Sequence, residues 1–150
     1  MFEKILVATD GSKHSERAAE KAIEMARLYG STITVLNVVD VGREYAPLGD
    51  LISSVADDLI AGIRQNLKEQ GENATKKVVL MAEKEGISAA RKITEGYPAD
   101  DIIRIAKEDD IGLIVMGGIG ATGLERFLLG SVADKVVRSS NIPVLVVRAE

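Results

Sequence analysis

The chain has 150 residues, 19 of them basic and 23 acidic, for a net charge of −4, and it contains no cysteine. Its length suits a single domain over 1–150, large enough to bury roughly 70% of the surface its unfolded chain exposes. Disulfides and thiolate metal sites are excluded, and without a basic cluster to neutralise a run of phosphates no nucleic-acid partner is expected.

Met1-Phe2-Glu3-Lys4-Ile5 enters directly into the apolar run Ile5-Leu6-Val7-Ala8. No signal peptide or membrane partner is expected, and the anticipated location is cytoplasmic. The apolar run reads as a parallel strand covered on both faces, stopping at Thr9-Asp10-Gly11-Ser12. Ala18, Ala22, Ala26 and Tyr29 recur at helical spacing, with Ser12 or Ser15 placed to cap the helix and Gly30 to end it. Ile33 to Val39 supplies the second strand, β-branched and apolar.

Asp40 to Asp50 has no period and reads as a loop. Ile52, Val55, Leu59, Ile63, Leu67, Ala74, Val78 and Met81 then share one helical phase across Gly71, giving one long helix, straight or bent, or two. Ile87 to Thr94 suits a helix continuation or a strand; Gly86 before it and Gly96-Tyr97-Pro98 after it favour a separate edge strand. Pro98 suits a first helical position, with Asp100 and Asp101 in the first turn and Ile102, Ile103 and Ala106 inward. Leu113 to Met116 is the next strand, Ser131 to Ser140 a helix with Val132, Val136 and Val137 inward, and Pro143 to Val147 the last strand. The alternation implies an open parallel sheet with helices on both faces.

Ligands of such sheets bind beyond the carboxyl ends of the strands. Ala8-Thr9-Asp10, Asn37-Val38-Val39-Asp40 and the chain from Met116 onward meet there. Gly118-Ile119-Gly120-Ala121-Thr122-Gly123 formally matches the dinucleotide pattern G-x-G-x-x-G, but only one strand follows and no acidic residue stands at the ribose offset. A P-loop of the G-x-x-x-x-G-K-[ST] type is absent. Gly117-x-x-Gly120, then nine residues, then Gly130-Ser131 is the spacing that remains. Main-chain N–H groups of such a loop and of a helix start make an anion site, to which the Ser131 hydroxyl would add a donor. Ser131-Val132-Ala133-Asp134 reads equally as a helix capping box, and His14, Asp57-Asp58 and Glu108-Asp109-Asp110 as solvated surface.

That spacing, with Lys4 to Ser12, Leu36 to Asp40, Ile114 to Gly117, Leu128 to Val137 and Pro143 to Val147, resembles the ATP-binding branch of the universal stress protein family. The resemblance implies an α/β fold of the adenine-nucleotide alpha-hydrolase-like kind, one domain with five parallel strands in the order 3-2-1-4-5. It implies that Gly117, Gly120, Gly130 and Ser131 lie against ribose and phosphates, that Asp10 and Val38 flank the nucleoside, and that Ala8, Thr9, Met116 and Val132 line the same cleft. Asp10 would bond a nucleoside hydroxyl or amino group, or a water on Mg²⁺. The implied ligand is ATP, ADP or AMP, with Mg²⁺. Family members often carry polar or cationic loop residues where this chain has Gly118, Ile119 and Ala121, so weakened triphosphate affinity is expected, with Arg126 a possible compensation. The implied function is ligand-dependent stress-response regulation by binding, in a homodimer formed through the terminal strand Val144 to Val147. The rivals are a nucleotide-free homodimeric scaffold and, last, a slow ATPase; no catalytic base or metal ligand is assigned.

Overall fold

A computed structural model describes residues 1–41, 53–119 and 129–148. Of the sequence expectations, the loop over 42–50, Ile52, the site glycine Gly120 and Arg126 lie outside these residues. In chain order the elements are β1 (Lys4–Ala8), α1 (Lys13–Tyr29), β2 (Thr32–Asp40), α2 (Ser53–Lys84), β3 (Ala89–Gly96), α3 (Pro98–Glu108), β4 (Leu113–Gly117), α4 (Ser131–Ser139) and β5 (Val144–Val147). The five strands form one parallel sheet in the order β3-β2-β1-β4-β5.

Successive strand residues point to opposite faces, so an apolar run without alternation serves two cores. Ile5 and Val7 of β1 join Ala18, Ala19 and Ala22 of α1 and Val78 and Ala82 of α2. Leu6, between them, joins Ile102 and Ile105 of α3 and Val136 of α4 on the other face. The sheet is thus covered by α1 and α2 on one side and by α3 and α4 on the other.

Ser12, rather than Ser15, caps α1: its Oγ accepts from the Ser15 N–H at 3.2 Å. Gly30 ends that helix in the left-handed region at φ 67°, its N–H donating to the Ala26 carbonyl. Ala18, Ala22 and Ala26 are buried as their spacing requires, whereas Tyr29 is 59% exposed and sets its ring edge against Phe2 at 5.5 Å.

α2 is a single helix of 32 residues. Its inward line differs from the expected stripe. The buried positions are Ala56, Gly71, Thr75, Val78 and Ala82, while Val55 and Leu59 stay exposed. Only the second half of the helix reaches the shared core, so apolar periodicity in the first half has no sheet residue to answer it. Thr75 is accommodated because its hydroxyl donates to the Gly71 carbonyl one turn earlier, at 2.8 Å.

The segment around Ile87 resolves as an edge strand, β3, paired along its length with β2. In α4 the inward residues are Ala133 and Val136, with Val132 half-buried and Val137 turned outward. The capping-box reading of Ser131 is also corrected: Gly130 is the N-cap, in an extended conformation, and Ser131 is already the first helical residue. Among the described residues no helix is long and apolar enough to cross a membrane.

Candidate functional site

The order of the strands reverses at β1, which has β2 on one side and β4 on the other, so connections leave in opposite directions and a crevice opens at the carboxyl ends. A cleft of about 560 Å³ lies there. Ala8, Thr9, Asp10, Val38, Met116, Gly117, Gly130, Ser131 and Val132 all line it, so every described residue singled out from the sequence is brought to one place.

The β1 turn is held from inside. Thr9, buried, donates its hydroxyl to Ser15 Oγ at 3.1 Å, because the Ser15 hydroxyl is itself spent on the Ser12 carbonyl at 2.8 Å. The Gly11 N–H donates back to Thr9 Oγ1 at 3.2 Å. Gly11 lies at φ 82°, a backbone state that side chains with a Cβ rarely adopt. The Ser12 N–H donates to Asp10 Oδ1 at 2.9 Å, an Asx turn that leaves the exposed carboxylate with further acceptor capacity at the cleft.

Asn37 on β2, expected at this end of the sheet, completes the network. Its amide Nδ2 donates to the Thr9 carbonyl at 2.8 Å, tying the end of β1 to β2, and its buried Oδ1 finds no donor among the described residues. Gly71 of α2 lies directly on it: a Cβ at Gly71 would stand 2.8 Å from Asn37 Cγ and closer still to Oδ1. The helix therefore brings Leu67, Gln70 and Gly71 to the cleft, a wall that local sequence patterning does not reveal, because the contact spans more than thirty positions of chain. Pro98 and Ile102 close the opposite side.

Two described glycines of this wall, Gly118 and Gly130, do not offer free N–H groups as anion donors. The Gly118 N–H donates to the Val147 carbonyl at 3.0 Å and the Gly130 N–H to the Gly118 carbonyl at 2.7 Å, so both amides are consumed in joining β4, β5 and the start of α4. The glycines supply close approach instead. A Cβ at Gly117 would meet the His14 backbone carbon at 3.0 Å, so only glycine lets the first turn of α1 lie against β4. Among the described residues α4 offers donors: its first turn closes with the Asp134 N–H on the Gly130 carbonyl, leaving the Val132 and Ala133 N–H groups without an acceptor inside the helix. They carry the positive end of the helix dipole, and both residues line the cleft.

An adenine nucleotide fits this composition. The volume lies within the range of about 300–1,000 Å³ common for small-molecule sites. Ala8, Val38, Met116 and Val132 give apolar walls for a base, Asp10 an acceptor for hydroxyl or amino groups, and α4 a terminus for phosphate. Among the described lining residues there is no lysine or arginine, so the matched charge is small. No group of three metal-ligating side chains occurs among the described residues.

Residues 1–148 match the family model described as "Universal stress protein family". The chain is 41% identical over 148 residues to the universal stress protein MJ0531 of Methanocaldococcus jannaschii, covering 99% of this chain and 83% of that one. The solved structure of MJ0577, from the same organism, superposes with a TM-score of 0.83 at 31% identity, covering 100% of this chain and 98% of that one. The universal stress protein from Archaeoglobus fulgidus, solved in complex with dAMP, superposes with a TM-score of 0.64 at 30% identity and covers 98% of this chain and 99% of that one. Matched along its length in sequence and in fold, the chain belongs to the universal stress protein family.

Proposed function

We propose that the cleft binds an adenine nucleotide and that the chain, acting as one domain over 1–150, is a cytoplasmic stress-response regulator working by binding rather than turnover. The observation that carries the reading is the convergence, at the carboxyl ends of β1, β2 and β4, of an apolar slot, the Asp10 carboxylate and the open first turn of α4. The dAMP held by the Archaeoglobus fulgidus relative supports the ligand class. The base lies among Ala8, Val38 and Met116, Asp10 takes the ribose or base, and the first phosphate sits on the α4 terminus beside Gly130, Ser131 and Val132. ATP, ADP and AMP compete closely, because the described wall offers donors for about one phosphate and no cation for the others; Mg²⁺ accompanies the longer nucleotides, bound through their own phosphates.

A second copy pairs along β5. That strand has β4 on one side only, and its four residues are all half-buried rather than covered, so its outer edge is open to another chain among the described residues.

Calorimetry with AMP, ADP and ATP–Mg²⁺ on the wild type and on Gly130→Val tests the nucleotide reading. Gly130 has φ −60° and ψ 157°, a conformation valine adopts without strain, so the variant folds while its branched side chain occupies the cleft mouth. Micromolar or tighter binding by the wild type, weakened at least tenfold in the variant, is expected. No binding by the wild type would overturn the reading.

A further inference from the structure

We infer that Asn37 is a positioning residue for nucleotide binding: it fixes the Thr9–Asp10 peptide and so sets the Asp10 carboxylate at the ligand. The inference rests on the nucleotide reading above, in which Asp10 meets the ligand, and extends it to what holds that carboxylate in place.

Strand pairing stops just short of Asp10. The last rung between β1 and β2 is the Thr9 N–H on the Leu36 carbonyl at 2.9 Å. Past that rung the Thr9 carbonyl takes its hydrogen bond from the Asn37 side chain, whose Nδ2 donates at 2.8 Å. That carbonyl shares a rigid plane with the Asp10 nitrogen and Cα, so its direction governs how Asp10 leaves the sheet. Among the described residues the main-chain groups of Asp10 make no hydrogen bond of their own. The bonds of the Ser12 N–H to Asp10 Oδ1 and of the Gly11 N–H to Thr9 Oγ1 tie the turn to itself and, through Ser15, to α1. Asn37 ties it to β2.

Asn37 is braced for this task. It is 8% exposed, and Gly71 of α2 presses on its carboxamide at a separation that admits no Cβ. One turn further along α2, the Ala74 Cβ would lie 3.5 Å from a Cβ at Gly11, so the same helix backs the Asp10 turn as well. An exposed carboxylate binds better when its main chain is held beforehand, because less freedom is lost on contact with the ligand. Stability gives a poorer account of an asparagine at this place. Its Oδ1 is buried with no donor among the described residues, and an unpaired buried acceptor costs at least what the Nδ2 bond returns.

The test is a double-mutant cycle on AMP affinity, measured by calorimetry on the wild type, Asp10→Ala, Asn37→Leu and the double variant. Leucine keeps the branched shape of asparagine and removes its donor. Asn37→Ala, which places nothing against Gly71, repeats the cycle with and without Asp10→Ala, so the comparison survives a leucine variant that fails to fold. Asp10→Ala and each Asn37 variant are expected to weaken AMP about tenfold, the scale of one hydrogen bond to a charged group. The double variants are expected to bind as the single ones do, about tenfold below the wild type, because Asn37 acts through Asp10. A general loosening of the cleft would add to the loss of Asp10 instead. Losses that multiply to about a hundredfold, or an Asp10 or Asn37 variant that binds as the wild type does, overturn this inference and leave the nucleotide reading standing. A wild type that binds no AMP overturns both.

Discussion

Gly71→Ala sets two principles against each other inside one helix. Helix propensity alone favours alanine by about 1 kcal/mol. At Gly71, however, the new Cβ would stand 2.8 Å from Asn37 Cγ and nearer to Oδ1, and Asn37 cannot step aside freely because it is buried and its amide holds the Thr9 carbonyl. Forcing a methyl into a packed contact costs about 1–3 kcal/mol, and losing the Asn37–Thr9 hydrogen bond about 1 kcal/mol more. The net expectation is destabilisation by about 1–3 kcal/mol, a fall in melting temperature of about 2–12 °C for a domain of this size. Gly62, in the same helix, has nothing within 4 Å of an added Cβ and is exposed, so Gly62→Ala is expected to stabilise by up to about 1 kcal/mol. Urea unfolding of both variants gives the comparison directly. If Gly71→Ala is as stable as Gly62→Ala, the tight contact between α2 and β2 is not a constraint and the placement of the α2 wall loses its basis.

Ser12→Ala removes the side-chain acceptor of the Ser15 N–H and should cost about 1 kcal/mol in the same assay, with a neutral result contradicting the capping assignment. Sedimentation velocity at micromolar concentration should show a dimer, and Val146→Glu, at the β5 residue that joins neither core cluster, should shift it toward monomer; a monomeric wild type would remove the proposed pairing.

Much of the fold was legible because each strand carries its message locally. Ile5 to Ala8 and Leu113 to Met116 are apolar without alternation, the mark of a strand buried on both faces, and Gly30 and Pro98 stand where their backbone preferences end and begin helices. What failed was phase and commitment. Serine three residues before aspartate looks like a capping box, but a glycine one position earlier serves equally as N-cap, and the helix starts there. Val55, Leu59 and Val137 have the right spacing for a core, yet spacing does not say whether a partner lies opposite. Glycine-rich sequence suggested free amides; only the fold shows that Gly118 spends its amide on the Val147 carbonyl and Gly130 on the Gly118 carbonyl. The cleft's contributions from β1, β2, β4 and α4 were readable because they follow strand ends or open a helix. Leu67 and Gln70 were not, since residues in a long helix acquire their place at the cleft only through the Gly71 contact.

The central claim is that a nucleotide occupies the cleft between the β1 turn and the start of α4. A crystal structure of the protein grown with AMP bears on it most directly. The account predicts density for the base beside Ala8 and Val38 and for the phosphate at the Val132 and Ala133 N–H groups. Density at another surface, or a cleft without nucleotide at saturating AMP, would contradict it.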